Sequence, residues 1–261
     1  MTLALIAGQG ALPQAVVSEI GDRHWKAFHL KGFEPDDKTS EPFRVEHLGS
    51  FIAGLTAQGI TDVCFAGAIG RPKLDPTAID AATLPLVPRM MQALQAGDDA
   101  ALRLVLSLFE EAGLNVVAAQ DVAPSLLRVP TVGAPSDRDY ADIERAKMVH
   151  AALSNMDVGQ GCVVARGQVL AIEAMPGTQW MLASLTHFDA KPDGGVFFKA
   201  AKAGQDRRID MATIGPETVD QAAAVGLNGI TVVQDAVLVL QPDVVRTRLE
   251  KTGLFLTALP A

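Results

Sequence analysis

Short apolar runs alternate with segments of helical periodicity throughout the first half of the chain. Runs of parallel-sheet type are predicted as strands at residues 3–8, 25–30, 62–68 and 114–119. Between them, apolar positions at helical spacing predict helices through Val16, Val17 and Ile20, over 49–58 and over 98–112. Because alternating strands and helices build a parallel sheet, we expect an N-terminal doubly wound, Rossmann-like α/β domain.

The second half has a different order of elements. Residues 137–154 have a helical pattern, and residues 162–174 are typical of a hairpin that turns near Gly167. A helix beginning at Pro216 and ending before Gly226 is indicated by the positions of those two residues. Further strands are predicted at 196–200, 229–235, 236–240 and 254–259, with a short helix at 242–250. This order predicts a C-terminal mixed α/β domain.

A segment rich in proline and glycine separates these two patterns. Pro124, Pro130, Gly133 and Pro135 interrupt residues 124–136, which show little periodicity. We therefore predict a linker there, an N-terminal domain over residues 1–130 and a C-terminal domain over residues 131–261. In this division the C-terminal domain carries the charged segment described below.

Composition and charge exclude several classes of protein. The 261 residues are 49% hydrophobic and 20% charged, with a formal net charge of -8. Such a charge is unfavourable for nucleic-acid binding, which needs a basic surface. The N-terminal sequence lacks the features of a secretory signal, and no apolar run approaches the roughly 20 residues of a membrane span. We expect a cytoplasmic protein whose contact with the inner membrane, where it occurs, is peripheral.

The densest cluster of charge lies at residues 199–215. Its cations are Lys199, Lys202, Arg207 and Arg208, and its carboxylates are Asp206 and Asp210. Cations suit phosphate oxygens and carboxylates suit a divalent metal, so the mixture is typical of a site for phosphate chemistry. The alternative is a solvated loop held by salt bridges.

The turn after the first strand resembles a dinucleotide-binding turn only in part. Gly8 and Gly10 occupy the first two glycine positions, but Pro13 stands at the third. No acidic residue follows the second strand to bind a ribose, so a conventional NAD site is disfavoured. The turn could still hold a phosphate at a helix N-terminus, or it could be a structural turn alone.

Four further residues carry candidate roles. Arg71 follows a predicted strand, at the sheet edge where open α/β proteins bind ligands, although it could be an ordinary surface arginine. Glu173 ends an apolar run, where a carboxylate must be paired, bind metal or reach solvent. At least one of Asp98 and Asp99 is expected to cap the helix that follows. No HExxH or GxSxG motif is present, which disfavours zinc or serine hydrolase chemistry.

Five segments, taken together, resemble the LpxI family of UDP-2,3-diacylglucosamine pyrophosphatases. In sequence order they are IAGQGALP, FAGAIGRP, GDDAALR, GQGCVVARGQVLAIEAMPGT and KAAKAGQDRRIDMATIG, and they extend over nearly the whole chain. The resemblance implies an enzyme of lipid A biosynthesis that hydrolyses UDP-2,3-diacylglucosamine to UMP and 2,3-diacylglucosamine 1-phosphate (lipid X). It also implies Mg²⁺ as cofactor, two domains and a homodimer.

The resemblance and the residue chemistry together give a candidate site. We predict Asp210, Asp206 and Glu173 as catalytic carboxylates, with Asp210 and Asp206 as metal ligands. Substrate binding is assigned to Gly8, Gly10, Arg71, Lys199, Lys202, Gln205 and Arg208. Two positions depart from the family pattern: Ala203 replaces a usual proline, and Gln179 replaces a usual acid. The second departure argues against a metal or proton-transfer role for that side chain.

Two other functions remain compatible with these patterns. A non-catalytic protein that binds a lipid or a nucleotide sugar would hold the same substrate but release no UMP. A nucleotide-dependent oxidoreductase built on the N-terminal domain would bind a dinucleotide, which the incomplete glycine pattern disfavours.

Overall fold

The computed structural model describes residues 1–36 and 39–260, with only the backbone described at 98 and 99. The chain divides into two compact units. Unit 1 contains Met1–Ala123 together with Asp206–Asp210, and unit 2 contains Pro124–Gln205 together with Met211–Ala261. The short segment 206–210 therefore belongs to the first unit although it lies in the second half of the sequence.

Unit 1 is built on a five-stranded sheet in which every pair of neighbouring strands is parallel. Its strands are β1 (Thr2–Ala7), β2 (His24–Leu30), β3 (Glu41–Phe43), β4 (Asp62–Ala66) and β5 (Asn115–Val117). They lie in the order β3-β2-β1-β4-β5, which is the order of a doubly wound α/β sheet. The α/β prediction for the first half is confirmed.

The α-helices of unit 1 lie between its strands or after the last of them along the chain. They are α1 (Leu12–Val17), α2 (Leu48–Ala57), α3 (Val87–Ala96), α4 (Asp98–Glu111) and α5 (Ala119–Val122). The sequence pattern predicted no helix at α3. Apolar side chains at Val87, Met90, Met91 and Leu94 do have helical spacing, but the prolines at the start of the helix, Pro85 and Pro88, are typical of a loop. The predicted capping role of Asp98 and Asp99 concerns side chains outside the described part of the structure.

Unit 2 contains a five-stranded mixed sheet and a separate two-stranded sheet. The strands are β6 (Gly161–Ala165), β7 (Gln168–Ile172), β8 (Val196–Lys199), β9 (Ala212–Ile214), β10 (Gly229–Val233), β11 (Val237–Val239) and β12 (Phe255–Leu259). In the larger sheet, ordered β12-β10-β8-β6-β7, the first three strands are parallel and the predicted hairpin β6–β7 is antiparallel. Strands β9 and β11 pair in parallel as the second sheet. The mixed α/β prediction is confirmed.

Four α-helices pack with these sheets: α6 (Asp137–Ser154), α7 (Gly177–Ser184), α8 (Pro216–Ala224) and α9 (Pro242–Thr252). Helix α6 has the bounds that the periodicity predicts, and it begins with a capping box between Ser136 and Asp139. Helix α7 was missed by the sequence reasoning. It has only eight residues, and two of them, Met181 and Leu182, are buried.

No helix in the described part of the chain is both long enough and apolar enough to cross a lipid bilayer.

Candidate active site

The charged segment after β8 folds into two consecutive turns. In the first, the backbone N–H of Lys202 donates to Oε1 of Gln205 at 2.9 Å. In the second, the N–H of Arg208 donates to Oδ1 of Asp206 at 3.0 Å, and the N–H of Asp210 donates to the Asp206 carbonyl at 3.1 Å. An aspartate that accepts from the backbone two residues ahead stabilises such a turn. Local hydrogen bonds therefore fix the backbone around Asp210.

Asp206 and Arg208 form a two-point ion pair. Arg208 Nη2 lies 2.7 Å from Asp206 Oδ2, and Arg208 Nε lies 3.0 Å from Asp206 Oδ1. The same guanidinium donates through Nη1 to Glu110. Hydrogen bonding to Arg208 is the main cause that lowers the pKa of Asp206, so this carboxylate stays ionised at neutral pH. The pair uses both oxygens of Asp206.

Three contacts hold the segment 206–210 in unit 1. The Ile209 side chain packs against the hydrophobic core of that unit. Gln120 Nε2 donates to the Arg207 carbonyl at 3.1 Å, and Arg208 reaches Glu110 of α4. Asp210 is half-buried at the end of this segment. A carboxylate at the end of an anchored loop is held in a defined position, which a catalytic group requires.

Glu173 and Lys199 form a buried ion pair in unit 2. Lys199 Nζ lies 3.2 Å from Oε2 and 3.4 Å from Oε1 of Glu173, and it also donates to the hydroxyl of Thr178. The two charged side chains are only 4% and 10% exposed. Of the three sequence-based alternatives for Glu173, the structure gives pairing within the protein. The pair links the end of the β6–β7 hairpin to the end of β8.

Two glycines allow the backbone to pack against Glu173. A Cβ at Gly159 would collide with the Glu173 carbonyl oxygen. A Cβ at Gly161 would lie 3.0 Å from Glu173 Oε2 and 2.8 Å from the Phe197 ring. The contact with the Phe197 ring would be too short for carbon atoms, and the contact with Oε2 would be tighter than ordinary packing. The GQG at the start of the hairpin motif is therefore needed for the close packing around the ion pair.

Lys202 and Gln205 also lie in unit 2. Lys202 Nζ is 2.6 Å from Oδ1 of Asp157. Gln205 uses its oxygen to accept from the Lys202 backbone, while its Nε2 is buried and has no hydrogen-bond partner among the described residues. A buried donor without a partner is costly, so Nε2 is a candidate contact for an oxygen atom of a ligand.

Gly8 has a structural role in unit 1. A Cβ at Gly8 would lie 2.6 Å from the Ala68 carbonyl oxygen, because the loops after β1 and β4 pack backbone to backbone. The N–H groups of Gly8 and Gln9 donate to the carbonyls of Ala66 and Ala68 at 2.7 and 2.9 Å. These two donors are therefore occupied within the protein. Gly10 adopts a φ of 90°, which favours glycine, and precedes a helix of only six residues.

Arg71 lies in the loop after β4, at the carboxyl edge of the unit 1 sheet. It lines a cleft of about 390 Å³ that is formed by residues of this unit. Arg71 and the nearby Lys73 are both exposed side chains. The position agrees with the rule that open α/β sheets bind ligands outside the carboxyl ends of their strands.

Comparison with known proteins decides the family. The model of the LpxI N-terminal domain matches residues 2–126, and the model of the LpxI C-terminal domain matches residues 128–257. The chain belongs to the LpxI family. This LpxI protein is 35% identical over 268 residues to the UDP-2,3-diacylglucosamine pyrophosphatase LpxI of Caulobacter vibrioides, a match that covers 97% of this chain and 95% of the relative. The sequence-based recognition is confirmed.

The described residues of this LpxI protein contain no group of three or more His, Cys, Asp or Glu side chains arranged to hold a metal ion. A metal held entirely by protein ligands therefore does not fit the described residues. Magnesium, however, is commonly bound through one or two carboxylates, with water and substrate phosphates completing its coordination. Asp210 and Asp206 are carboxylates of the type that this smaller donor set uses, and both oxygens of Asp206 contact Arg208 in this structure.

Sequence reasoning missed the partners that hold the candidate residues in this LpxI protein. Thr178, Glu110 and Asp157 contact Lys199, Arg208 and Lys202 respectively. Glu110 and Asp157 are 98 and 45 residues from their partners in sequence. Only Thr178 carried a signal, because it lies inside the AMPGT end of a family segment.

Proposed function

We propose that this protein hydrolyses the pyrophosphate bond of UDP-2,3-diacylglucosamine in lipid A biosynthesis. The products are UMP and 2,3-diacylglucosamine 1-phosphate (lipid X). The observation that carries this function is the match over 97% of the chain to a relative whose name states the activity, with LpxI domains across both halves. The protein is accordingly an enzyme, a phosphoanhydride hydrolase.

Asp210 is the proposed catalytic carboxylate. Hydrolysis of a pyrophosphate requires a carboxylate that orients or deprotonates water, and cations that offset charge on the phosphate oxygens. Asp210 ends a loop that is anchored in unit 1 by Ile209 and by the contact of Arg208 with Glu110. In this proposal Asp206 positions the Arg208 guanidinium. Arg208, two residues before Asp210, contributes positive charge for the phosphate oxygens.

Mg²⁺ is the proposed cofactor, with Asp210 as its protein ligand and substrate oxygens completing the site. When bound, the ion would polarise a phosphoryl oxygen and lower the charge that the leaving group must carry. Asp206 is assigned to this site only if its carboxylate leaves Arg208.

The buried pair in unit 2 has a positioning role in this proposal. Lys199 Nζ already donates to both Glu173 and Thr178, so Glu173 acts by holding Lys199 and the two strand ends in place. Lys202 and the unpartnered Nε2 of Gln205 provide polar contacts for the substrate on the same loop.

Three broader properties complete the proposal. The protein is proposed to act in the cytoplasm, to form a homodimer and to touch the inner membrane peripherally, because a diacylated substrate resides in lipid. Light scattering of the purified protein tests the dimer. Co-sedimentation with phospholipid vesicles tests the membrane contact.

Product analysis tests the function. Purified protein is incubated with UDP-2,3-diacylglucosamine in detergent, with Mg²⁺, with EDTA, and with EDTA followed by excess Mg²⁺. We expect UMP release with Mg²⁺, loss of release with EDTA, and recovery when Mg²⁺ is restored. Substrate binding without UMP release would identify a carrier instead, and release that is unaffected by EDTA would overturn the metal assignment alone.

A further inference from the structure

A cleft at the carboxyl edge of the unit 1 sheet has a volume of about 390 Å³. Three segments line it: the end of β2 with the turn after it, the residues after β3, and the loop after β4. Parallel α/β sheets bind their ligands at this edge, and small-molecule pockets usually occupy about 300–1,000 Å³. The cleft therefore has both the place and the size of a ligand site.

The charge of this cleft is opposite to that of the chain. Its described lining contains four cationic side chains, Lys31, Arg44, Arg71 and Lys73, and one carboxylate, Glu46. Four cations less one carboxylate leave an excess of three positive charges, in a protein with a formal net charge of -8. Such a concentration of positive charge in a concave surface attracts an anion.

Glu46 fixes one wall of the cleft. Its buried carboxylate accepts from Arg44 Nε at 3.1 Å and from the Asp75 backbone N–H at 3.0 Å. Its own carbonyl accepts from the N–H of Asp80 at 3.1 Å. One residue thus ties the segment after β3 to the loop after β4. The cations on these two segments are held on a prearranged frame, which reduces the entropy cost of binding.

An aromatic ring forms a second fixed wall. Phe33 packs so closely on the backbone of Gly70 that a Cβ there would lie 2.9 Å from Phe33 Cε1. The ring is half-buried, and it lines the cleft beside the exposed cations. Aromatic faces stack on nucleobases, while lysine and arginine bind phosphate. Base-binding and phosphate-binding groups therefore occur together in one cleft.

We propose that this cleft binds the uridine monophosphate part of the substrate, with Lys31 and Lys73 contacting phosphate and Phe33 contacting the base. The inference rests on the proposed function for the identity of the nucleotide. The lipid half of the substrate fits poorly, because acyl chains gain nothing from a wall of four cations. Lys31, Lys73 and Phe33 are thus binding residues in addition to Arg71.

Calorimetric titration with UMP tests the proposal. Wild-type protein and the double variant Lys31→Glu/Lys73→Glu are titrated with UMP, with uridine and with inorganic phosphate, in the absence of metal. Both lysines are exposed, so the variant should keep the melting temperature of the wild type. We expect UMP affinity to fall at least tenfold in the variant, and UMP to bind the wild type more tightly than either fragment does.

A matched control uses Arg246→Glu/Lys251→Glu, which makes the same change of charge as the double variant at two exposed positions of α9 in unit 2, neither of which is a lining residue. Its UMP affinity should equal that of the wild type. The proposal is overturned if wild-type protein does not bind UMP, if the double variant binds it as well as the wild type, or if the control loses as much affinity. Phosphate binding as tight as UMP would overturn the nucleotide assignment.

Hydrolysis of UDP-2,3-diacylglucosamine is measured on the same samples, so the two proposals can fail separately. If the wild type hydrolyses the substrate but the double variant binds UMP as tightly as the wild type, the cleft assignment is wrong and the proposed enzyme function is retained. If UMP binding depends on Lys31 and Lys73 but the protein does not hydrolyse the substrate, the proposed enzyme function is wrong and the cleft assignment is retained. Where both hold, the double variant should raise KM more than it lowers kcat, because it removes binding rather than chemistry.

Discussion

Asp210 is the side chain on which the proposed chemistry depends most directly. Replacement by asparagine keeps the size of the group but removes its charge and its capacity to take a proton. We expect Asp210→Asn to lower kcat at least about a hundredfold, the lower scale for loss of a general base, with little change in melting temperature. Rates of UMP release and thermal melts of the same preparation measure both quantities.

The matched control for Asp210 is Asp243→Asn. Asp243 is an exposed carboxylate in the first turn of α9, where it pairs with Arg128. Exposed pairs contribute about 0–1 kcal/mol, so this variant should keep the wild-type rate. If Asp210→Asn lowers activity only in proportion to the loss of folded protein, Asp210 is structural.

The buried pair of Glu173 and Lys199 makes a separate prediction for stability. Removing one partner leaves a buried charge without compensation, so Lys199→Met should lower the free energy of unfolding by about 3–5 kcal/mol. The double variant Glu173→Leu/Lys199→Met should regain a large part of that loss, because no isolated charge remains. Urea denaturation of the single and double variants measures the coupling, and strictly additive effects would show that the two charges do not interact as an ion pair.

Glu46 makes a prediction about pH. Hydrogen bonds from Arg44 and from the Asp75 backbone lower the pKa of Glu46 from 4.5 to about 2. A lowered folded-state pKa contributes stability above the unfolded value, and that contribution is lost as pH falls from about 4.5 to about 2. The stability difference between wild type and Glu46→Gln should therefore be full at pH 7 and shrink over that interval. Thermal melts at intervals of one pH unit test this, and a difference that is constant with pH would contradict it.

At this scale the sequence indicated residue types but not their partners. The charge and spacing of residues 199–210 identified Asp206, Arg208 and Asp210 as candidates. Their contacts depend on residues far along the chain, such as Glu110, which no local pattern relates to Arg208. The role of Gly8 likewise depends on a loop that follows another strand.

At the scale of elements, the loop after β1 depends on its two glycines, Gly8 and Gly10, for different reasons. Gly8 has no room for a side chain, because a Cβ would overlap the Ala68 carbonyl, whereas a Cβ at Gly10 would meet nothing within 4 Å. Gly10→Ala should therefore cost only about 1–2 kcal/mol for its positive φ. Gly8→Ala should cost more, since two backbone segments must separate. Chemical denaturation compares them, and equal losses would contradict the close packing of the loops after β1 and β4.

Helices and strands were predicted correctly from the sequence where their buried faces give a regular pattern of apolar residues. Strands β1 and β10 and helix α6 have apolar or periodic sequences and lie where the sequence places them. The strands β3 and β9 were missed because three residues are too few to show an alternation of apolar and polar side chains. Helix α3 was missed although its apolar residues have helical spacing, because Pro85 and Pro88 at its start are typical of a loop.

At the scale of the whole molecule, recognition of the family came from ordered segments spread over both halves, and the fold class came from the alternation of strands and helices. The assignment of residues 206–210 to unit 1 could not be predicted in this way. It depends on the packing of Ile209 in that unit and on the contact between Arg208 and Glu110. Both are tertiary contacts without a sequence signature.

Above all, we propose that the protein cleaves a phosphoanhydride by hydrolysis. Mass spectrometry of the products formed from UDP-2,3-diacylglucosamine in water enriched with ¹⁸O tests this claim most directly. We predict equimolar UMP and 2,3-diacylglucosamine 1-phosphate, with one ¹⁸O atom in one of the two products and none in unreacted substrate. Intact substrate after prolonged incubation with folded protein and Mg²⁺, or cleavage products that contain no ¹⁸O, would contradict it.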